Sequence, residues 1–319
     1  MINIKTDNLL INKEVNENLD SILKTKAFSN AYVFYGPEGI GKKQTALKFI
    51  KEIFKKYSSD LNIEEKIIAN NYPDFLLIEP SYYLKGNLIN RSEAEASKNN
   101  KQTIKIEQIR NVKTFLGQKS IESGRKIVLI DDAHLLNEAA SNCLLKTLEE
   151  PANGIFIILT SRLNLLLDTI ISRCQLIRFK SFSDKQLEIF IRNNLDSSLS
   201  NIYEQLNLKD LINLANGSPG KMLNDIKIWK ELPNEIKENL EFPLSDNLEI
   251  LRISKIISEE LDINQQIFLI NFIQQKYWVK TKKKSIVKKL ENLKSHLKNF
   301  IQPRLAWEVT LLKIAIEDL

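Results

Sequence analysis

The apolar positions of this chain change their spacing about halfway along it. In the first half, short unbroken apolar runs alternate with segments whose apolar residues recur every three or four positions. Tyr32 to Tyr35 predicts a short strand, and Lys42 to Phe54 a helix through Ala46, Leu47, Ile50, Ile53 and Phe54. Phe75 to Ile78 predicts a second strand. Ile106, Ile109, Val112, Phe115 and Leu116 share one helical face. Ile127 to Ile130 is four consecutive apolar residues, the pattern of a central parallel strand covered on both faces. A helix over 136–149, carrying Leu136, Ala140, Cys143, Leu144 and Leu148, stops at Pro151, and Ile155 to Leu159 predicts another buried strand. Such alternation implies a doubly wound α/β domain, a parallel sheet with ligands at the carboxyl ends of its strands. The polar, aperiodic stretch 81–102 reads as an extended surface loop.

From Ser183 onward strands disappear. Ser183 or Asp184 can cap a helix carrying Leu187, Phe190, Ile191 and Leu195. Asn216-Gly217 can stop a helix around Leu211 to Ala215, and Ser218-Pro219 restarts one, with serine at the N-cap and proline in the first turn. Pro233 and Pro243 flank an expected linker. From about Leu244 the chain reads as all helix, broken once at Pro303. One α/β domain, one small helical domain and one larger helical domain are therefore expected.

Composition narrows the class only a little. At 319 residues, 43% apolar and 27% charged, the chain is globular and long enough for two or three domains. Its longest apolar runs are too short to cross a bilayer, and MINIKTDNLLINKEV lacks the apolar segment of a signal peptide. Cys143, Cys174, His134 and His296 offer neither a disulfide framework nor a metal cluster, so a reduced, cytoplasmic setting is expected. A net charge of +6 suits a polyanionic partner, but a lysine-biased composition is the plainer explanation.

Between the first strand and its helix lies Gly36-Pro37-Glu38-Gly39-Ile40-Gly41-Lys42-Lys43. The motif G-x-x-x-x-G-K-[ST] wraps phosphates with backbone N–H groups at a helix N-terminus; its lysine reaches the outer phosphates and its hydroxyl binds Mg²⁺. Gly36, Gly39, Gly41 and Lys42 are the candidate phosphate-binding residues. Position 43 breaks the motif, because an ammonium cannot coordinate Mg²⁺ and repels it at close range. Thr45 is no substitute, since two helical residues turn a side chain about 200° away. ATP with Mg²⁺ is therefore disfavoured, while weak nucleotide or phosphate binding stays compatible with the loop backbone. After the strand at 127–130, Asp131 would be the metal-side carboxylate. Asp132 stands where hydrolysing enzymes carry a longer glutamate, and about 1 Å of misplacement can cost on the order of a hundredfold in rate. Both acids can alternatively cap the next helix, favoured by its dipole.

Four further segments follow in order: Asn71-Tyr72-Pro73-Asp74, Ile106-Glu107-Gln108-Ile109-Arg110, Leu144 to Pro151 (LLKTLEEP) and Ile171 to Gln175 (ISRCQ). With the near-complete phosphate loop, this set resembles the bacterial clamp-loader subunits of the AAA+ class over about residues 25–180. Pro303-Arg304-Leu305-Ala306-Trp307-Glu308 is similar to the P-R-L-A-x-E of that family's collar. The resemblance implies an AAA+ P-loop domain over 1–180, a helical lid over 181–235 and a helical collar for oligomerisation over 236–319. Motors of the family carry threonine after the loop lysine, an Asp-Glu pair, and Gly-Ser-x-Arg as lid sensor. This chain has Lys43, Asp131-Asp132 and Gly217-Ser218-Pro219-Gly220, with Gly220 in the sensor arginine's place.

That pattern resembles the delta-prime branch. It implies a stator with no activity of its own that assembles with motor (tau/gamma) and delta subunits, and through them with the sliding clamp and primed DNA. Ser172-Arg173-Cys174 is intact, and in the family this arginine enters a neighbour's ATP site as a finger. Its planar, permanently charged fork suits phosphate, and such fingers can be worth roughly 10³–10⁵ in rate. An internal salt bridge is the plainer role for Arg173, as buried packing is for Cys174. The alternative function is an ATP-hydrolysing tau/gamma-type motor or related P-loop NTPase, using Lys42 and Asp131 despite Lys43. A nucleotide-binding switch without hydrolysis is a third. The four-cysteine zinc module common in the family is not expected, because residues 51–74 hold no cysteine. The Lys-rich stretch 280–298 could contact DNA, but Ile286, Leu290, Leu293 and Leu297 form an apolar face, so we read its lysines as a solvated one.

Overall fold

The structure, a computed structural model, describes residues 12–58, 62–84, 87–91, 102–194, 208–238, 246–299 and 302–318. The chain divides into two compact units, Met1–Phe182 and Ser183–Leu319. Among the described residues no helix is long and apolar enough to cross a membrane.

The first unit runs α1 (Lys13–Thr25), β1 (Ala31–Tyr35), α2 (Lys42–Lys55), α3 (Ile63–Ile68), β2 (Phe75–Ile78), β3 (Ser81–Leu84), β4 (Asn87–Asn90), α4 (Ile106–Gly117), β5 (Lys126–Ile130), α5 (Glu138–Glu149), β6 (Gly154–Thr160), α6 (Asp168–Ile171) and β7 (Gln175–Arg178). Five strands form one parallel sheet in the order β2-β5-β6-β1-β7. Every residue of β5 and β6 is buried, as unbroken apolar runs require when helices cover both faces. On one face Ile109 and Val112 of α4 and Ala140 and Leu144 of α5 pack with Val128, Ile130, Phe156 and Ile158. Register then fixes the rim. Ile78 pairs with Ile130, Ile130 with Ile158, and Tyr35 with Thr160. The residues that follow these strands, Gly36, Glu79, Asp131 and Ser161, therefore emerge along one edge.

Three expectations change here. Residues 81–84 and 87–90 are not loop: β3 and β4 pair antiparallel with Tyr82 buried, and four-residue strands are too short to show a period. Residues 92–101 of that stretch lie outside the described residues. The helix expected over 136–149 begins at Glu138, because Ala133–Leu135 form a 3-10 turn and the Asn137 side chain accepts from Ala140 N at 2.8 Å as N-cap. Strand β7 has no counterpart among the expected elements, since only Ile177 of its four residues is buried.

Asp74 shows what the Asn-Tyr-Pro-Asp segment does. Its carboxylate is fully buried and accepts from the amides of Ile121, Glu122 and Ser123 and the hydroxyls of Ser120 and Ser123, all at 2.8–2.9 Å. Burial would raise its pKa, but these donors more than offset it and hold the acid below its ordinary value. The result ties the 120–123 loop to the start of β2.

The second unit is helical: α7 (Asp184–Asn194), α8 (Leu208–Ala215), α9 (Pro219–Glu231), α10 (Asn234–Glu238), α11 (Asn247–Glu260), α12 (Ile263–Thr281), α13 (Lys284–Lys298) and α14 (Pro303–Asp318). Ser183 and Gln186 cap α7 reciprocally, Ser218 caps α9 with Pro219 in its first turn, and Asn216 and Gly217 take positive φ after α8. Leu195, Pro243 and Leu244 lie outside the described residues. The tail breaks more often than once: Asp262 opens α12 with a capping box, and Lys282 ends it in a left-handed turn (φ 52°). Helix α10 occupies part of the expected linker, and Trp229 of α9 packs on Phe268 and Phe272 of α12. Packing thus runs straight across residues 235–236. The indole of Trp307, fully buried, donates to Gln266 Oε1 at 3.0 Å, whose amide donates to Leu261 O at 2.9 Å.

Asp225 on α9 is 5% exposed, its Oδ2 finds no partner among the described residues, and burial, only partly opposed by Lys221, pushes its pKa to about 7. A folded-state pKa raised from 3.8 means stability falls as pH rises from about 4 to about 7. Asp225→Asn should therefore gain melting temperature over the parent at pH 8 and little or none at pH 4.5. Thermal denaturation at both values checks this; an equal effect at both would show that the carboxyl is already ionised.

Candidate functional site

The rim built by the sheet register carries the phosphate loop. Gly36 follows β1 at φ 149°, and a Cβ there would lie 2.3 Å from Phe179 O, so only glycine lets the loop turn beside β7. Gly41 opens α2 at φ 94°. Gly36, Gly39 and Gly41 all take positive φ, as a loop wrapped around an anion requires. The side chain of Lys42 folds back on this loop: Nζ donates to Gly36 O at 2.8 Å and Pro37 O at 2.6 Å. Burial lowers its pKa, opposed by Asp132, Glu38 and Asp131.

Lys43 does something that its place in the motif does not suggest. Its ammonium lies 2.6 Å from Glu79 Oε1 and 3.1 Å from Asp131 Oδ2. Glu79 follows β2 and Asp131 follows β5, and those strands are paired neighbours, so register alone sets the two acids side by side. Burial works against the Lys43 charge, but the bond to Glu79 and the charge of Asp131 outweigh it and raise the pKa. The neighbouring acid is neutralised as well. Arg91, just beyond β4, donates to Asp132 Oδ2 at 2.6 Å and to Gln102 Oε1 at 2.8 Å. Asp132 itself sits at φ 47° and makes no side-chain cap bond, while Asp131 Oδ1 accepts from the Asp132 amide at 3.0 Å. Gln108, from the Ile-Glu-Gln segment, braces this corner: it donates to Glu79 O and accepts from Ser81 Oγ, both at 2.8 Å.

The donor set does not fit Mg²⁺. The motif hydroxyl is missing, and a cation already bridges the acids that would hold the metal. Among the described residues no group of three or more His, Cys, Asp or Glu side chains is arranged for a metal ion. His134 is held below its ordinary pKa chiefly by burial.

Arg173 stands at the end of α6. It donates to Thr169 O and to Glu149 Oε1, both at 2.9 Å, and the two charged side chains are 38% and 47% exposed. Exposed pairs of this kind contribute about 0.2–1 kcal/mol, so the guanidinium can change partner at little cost. Ser172 Oγ donates to Thr169 O at 3.1 Å, and Cys174 packs against the core with its thiol pushed by burial to about 11. Lys221, one place after Gly220, donates to Leu214 O at 2.6 Å and so caps the preceding helix.

Three residues of this corner carry no signal by themselves in the sequence: Glu79, Arg91 and Gln102. Glu79 is legible only through strand register, as the acid one place past β2 opposite the acid one place past β5.

The profile of the family described as DNA polymerase III, delta subunit, matches residues 11–183, more than half of the chain. That of the cyanobacterial DNA polymerase III delta prime C-terminal domain matches residues 193–314. Subunit delta' of DNA polymerase III from Pseudomonas aeruginosa is 31% identical over 153 residues, 46% of this chain and 42% of that protein. Its counterpart from Bacillus subtilis is 30% identical over 189 residues, 55% of this chain and 52% of that protein. The B. subtilis subunit tau is 30% identical over 55% of this chain and 29% of its own length. The chain thus spans about half or less of these curated relatives. A DNA polymerase III gamma subunit-related protein from Thermotoga maritima shares the fold, with TM-score 0.54 and 16% identity over 94% of this chain and 99% of that one. The chain belongs to the DNA polymerase III delta subunit family.

Lys43→Met should leave Glu79, 7% exposed, beside Asp131 with no cation between them. Stability should fall by about 1–3 kcal/mol at pH 8, less than for a fully buried pair because Lys43 is partly solvated. The loss should shrink at pH 5, where one of two facing carboxylates can take a proton. Urea unfolding at both pH values checks it, and adding Glu79→Gln to the variant should recover part of the loss.

Proposed function

We propose that this chain serves as the delta-prime-type stator of a bacterial DNA polymerase III clamp loader, in the cytoplasm. It assembles with tau/gamma motor and delta subunits, and the complex acts on the sliding clamp and primed DNA. The observation that carries the reading is the Lys43 ammonium on Glu79 and Asp131, in the place where a motor would hold its metal. Family membership supports the same assignment. With Lys42 turned onto the loop carbonyls and Arg91 on Asp132, each charged group of the corner already has a protein partner. The chain therefore has no need of bound nucleotide to stay folded. In this reading residues 181–235 act as lid and 236–319 as collar.

Arg173 then acts in trans. Its partner Glu149 is exposed and cheaply exchanged, so a neighbour's phosphates can take the guanidinium. Preorganised charge at a developing negative charge acts on the rate more than on assembly. Because Trp229 packs on α12, cutting the chain near residue 240 would strip part of the core of the second unit, so the test uses full-length variants.

Two outcomes are expected. The purified chain hydrolyses no ATP above background; turnover abolished by Lys42→Ala would instead favour the motor reading. Arg173→Ala assembles normally with its partners but lowers the DNA-stimulated ATPase of the complex by at least about tenfold, and Lys at 173 restores only part. ATPase and size-exclusion profiles of the same reconstituted samples decide it. A full rate with normal assembly would leave Arg173 with its Glu149 salt bridge as its only role.

A further inference from the structure

The lysines of the C-terminal unit are not evenly employed. Residues 276–290 hold seven lysines and no carboxylate, in a chain whose net charge is only +6. Some are engaged: Lys276 pairs with Asp210 at 2.6 Å, and Lys289 with Glu317. Along the body of α13, Lys294 bonds Asn271 at 3.0 Å and lies 3.7 Å from Glu291. The ammonium groups of Lys280, Lys282, Lys284 and Lys288 have no hydrogen bond or ion pair among the described residues. Unpaired charge is thus gathered where α12 turns into α13, while the rest of the helix is the solvated face expected from its sequence.

An aromatic ring stands in the same place. Trp229 and Trp307 are 3% and 0% exposed, but Trp278 is 44% exposed and Val279 63%. Trp278 lies in the last turn of α12, and the amide of Lys282 donates to its carbonyl at 3.1 Å. The left-handed conformation of Lys282 reverses the chain directly after the indole, which brings Lys284 and the first turn of α13 to the same end of the hairpin. Nearly half of this side chain faces water instead of the helical core. A large apolar ring left in water beside four unopposed ammonium groups suits a flat, anionic partner.

We propose that the α12–α13 turn is a binding site for single-stranded nucleic acid, with Trp278 stacking on one base and the surrounding lysines tracking the phosphates. Every base has a face to stack, so such a site is tolerant of sequence. Single strands fit better than duplex, whose bases are already stacked on one another. Lipid fits worse, because one indole and one valine make too small an apolar area to insert beside so much charge. The site lies in the second unit and the phosphate loop in the first, and the test uses the chain alone, so its failure would leave the clamp-loader reading standing.

Fluorescence anisotropy of a labelled twenty-residue oligo(dT) with the intact chain tests it. Lys282→Glu with Lys284→Glu should weaken binding at least about tenfold and lower the slope of log affinity against log salt by about 1.4, because two fewer phosphates are neutralised. Trp278→Ala should remove the oligonucleotide-induced quenching of tryptophan emission and weaken binding, and Trp278→Tyr should restore most of the affinity. Lys48→Glu with Lys185→Glu, the same charge change on the exposed faces of α2 and α7, should cost less than about twofold. Equal loss from that control pair would reduce the effect to net charge and overturn the site. So would tighter binding of blunt duplex than of single strand, binding to phosphatidylserine vesicles without binding to oligo(dT), or unchanged quenching in Trp278→Ala.

Discussion

One ammonium group organises the functional end of the first unit. The Lys43 nitrogen, between Glu79 and Asp131, lets two adjacent strands end in acids without leaving like charges face to face at the sheet rim. A metal and an ammonium at that point exclude one another, by repulsion and by competition for the same oxygens. What reads along the motif as a missing hydroxyl is, in the folded chain, a substitution of one cation for another. The corner keeps its charge balance with protein groups alone.

That balance separates the two arginines and two lysines of the region by role. Lys43 and Arg91 bond carboxylates of the same corner, and Lys42 bonds two backbone carbonyls of the loop. Arg173 is different. Its bonds reach an exposed carboxylate and a backbone carbonyl at the end of a short helix, contacts that water can replace at little cost. An own site filled by protein charges beside an exchangeable arginine is the electrostatic arrangement that the proposed stator calls for.

The sheet is legible in the sequence because the covered strands leave four apolar residues in a row, as at Ile127 to Ile130, and the helices because Ala46, Ile50, Ile53 and Phe54 return at one face. The loop glycines are legible because only glycine takes their φ without strain. What escapes a reading of the sequence depends on distant pairing. Glu79 acquires meaning only when β2 lies beside β5 in the register Ile78 to Ile130. Arg91 follows a hairpin too short to show a period, and no local rule links it to Asp132, 41 residues away. Asp74 belongs to a recognisable segment, yet its task of gathering three amides and two hydroxyls is set by a loop that returns after residue 119. The salt bridge that stood as the alternative role of Arg173 is present, between two partly exposed side chains.

The central claim is that Lys43 holds the place of a metal ion, and Mn²⁺ binding followed by electron paramagnetic resonance measures it without reference to turnover. With ATP present, the parent chain should leave Mn²⁺ in the dissolved Mn²⁺–ATP complex, unbound by protein. Lys43→Thr, which restores the motif hydroxyl and releases Glu79 and Asp131, should bind Mn²⁺ with ATP at least about tenfold more tightly, and adding Asp131→Asn should abolish the gain. Equal Mn²⁺ binding by the parent and by Lys43→Thr would contradict the account.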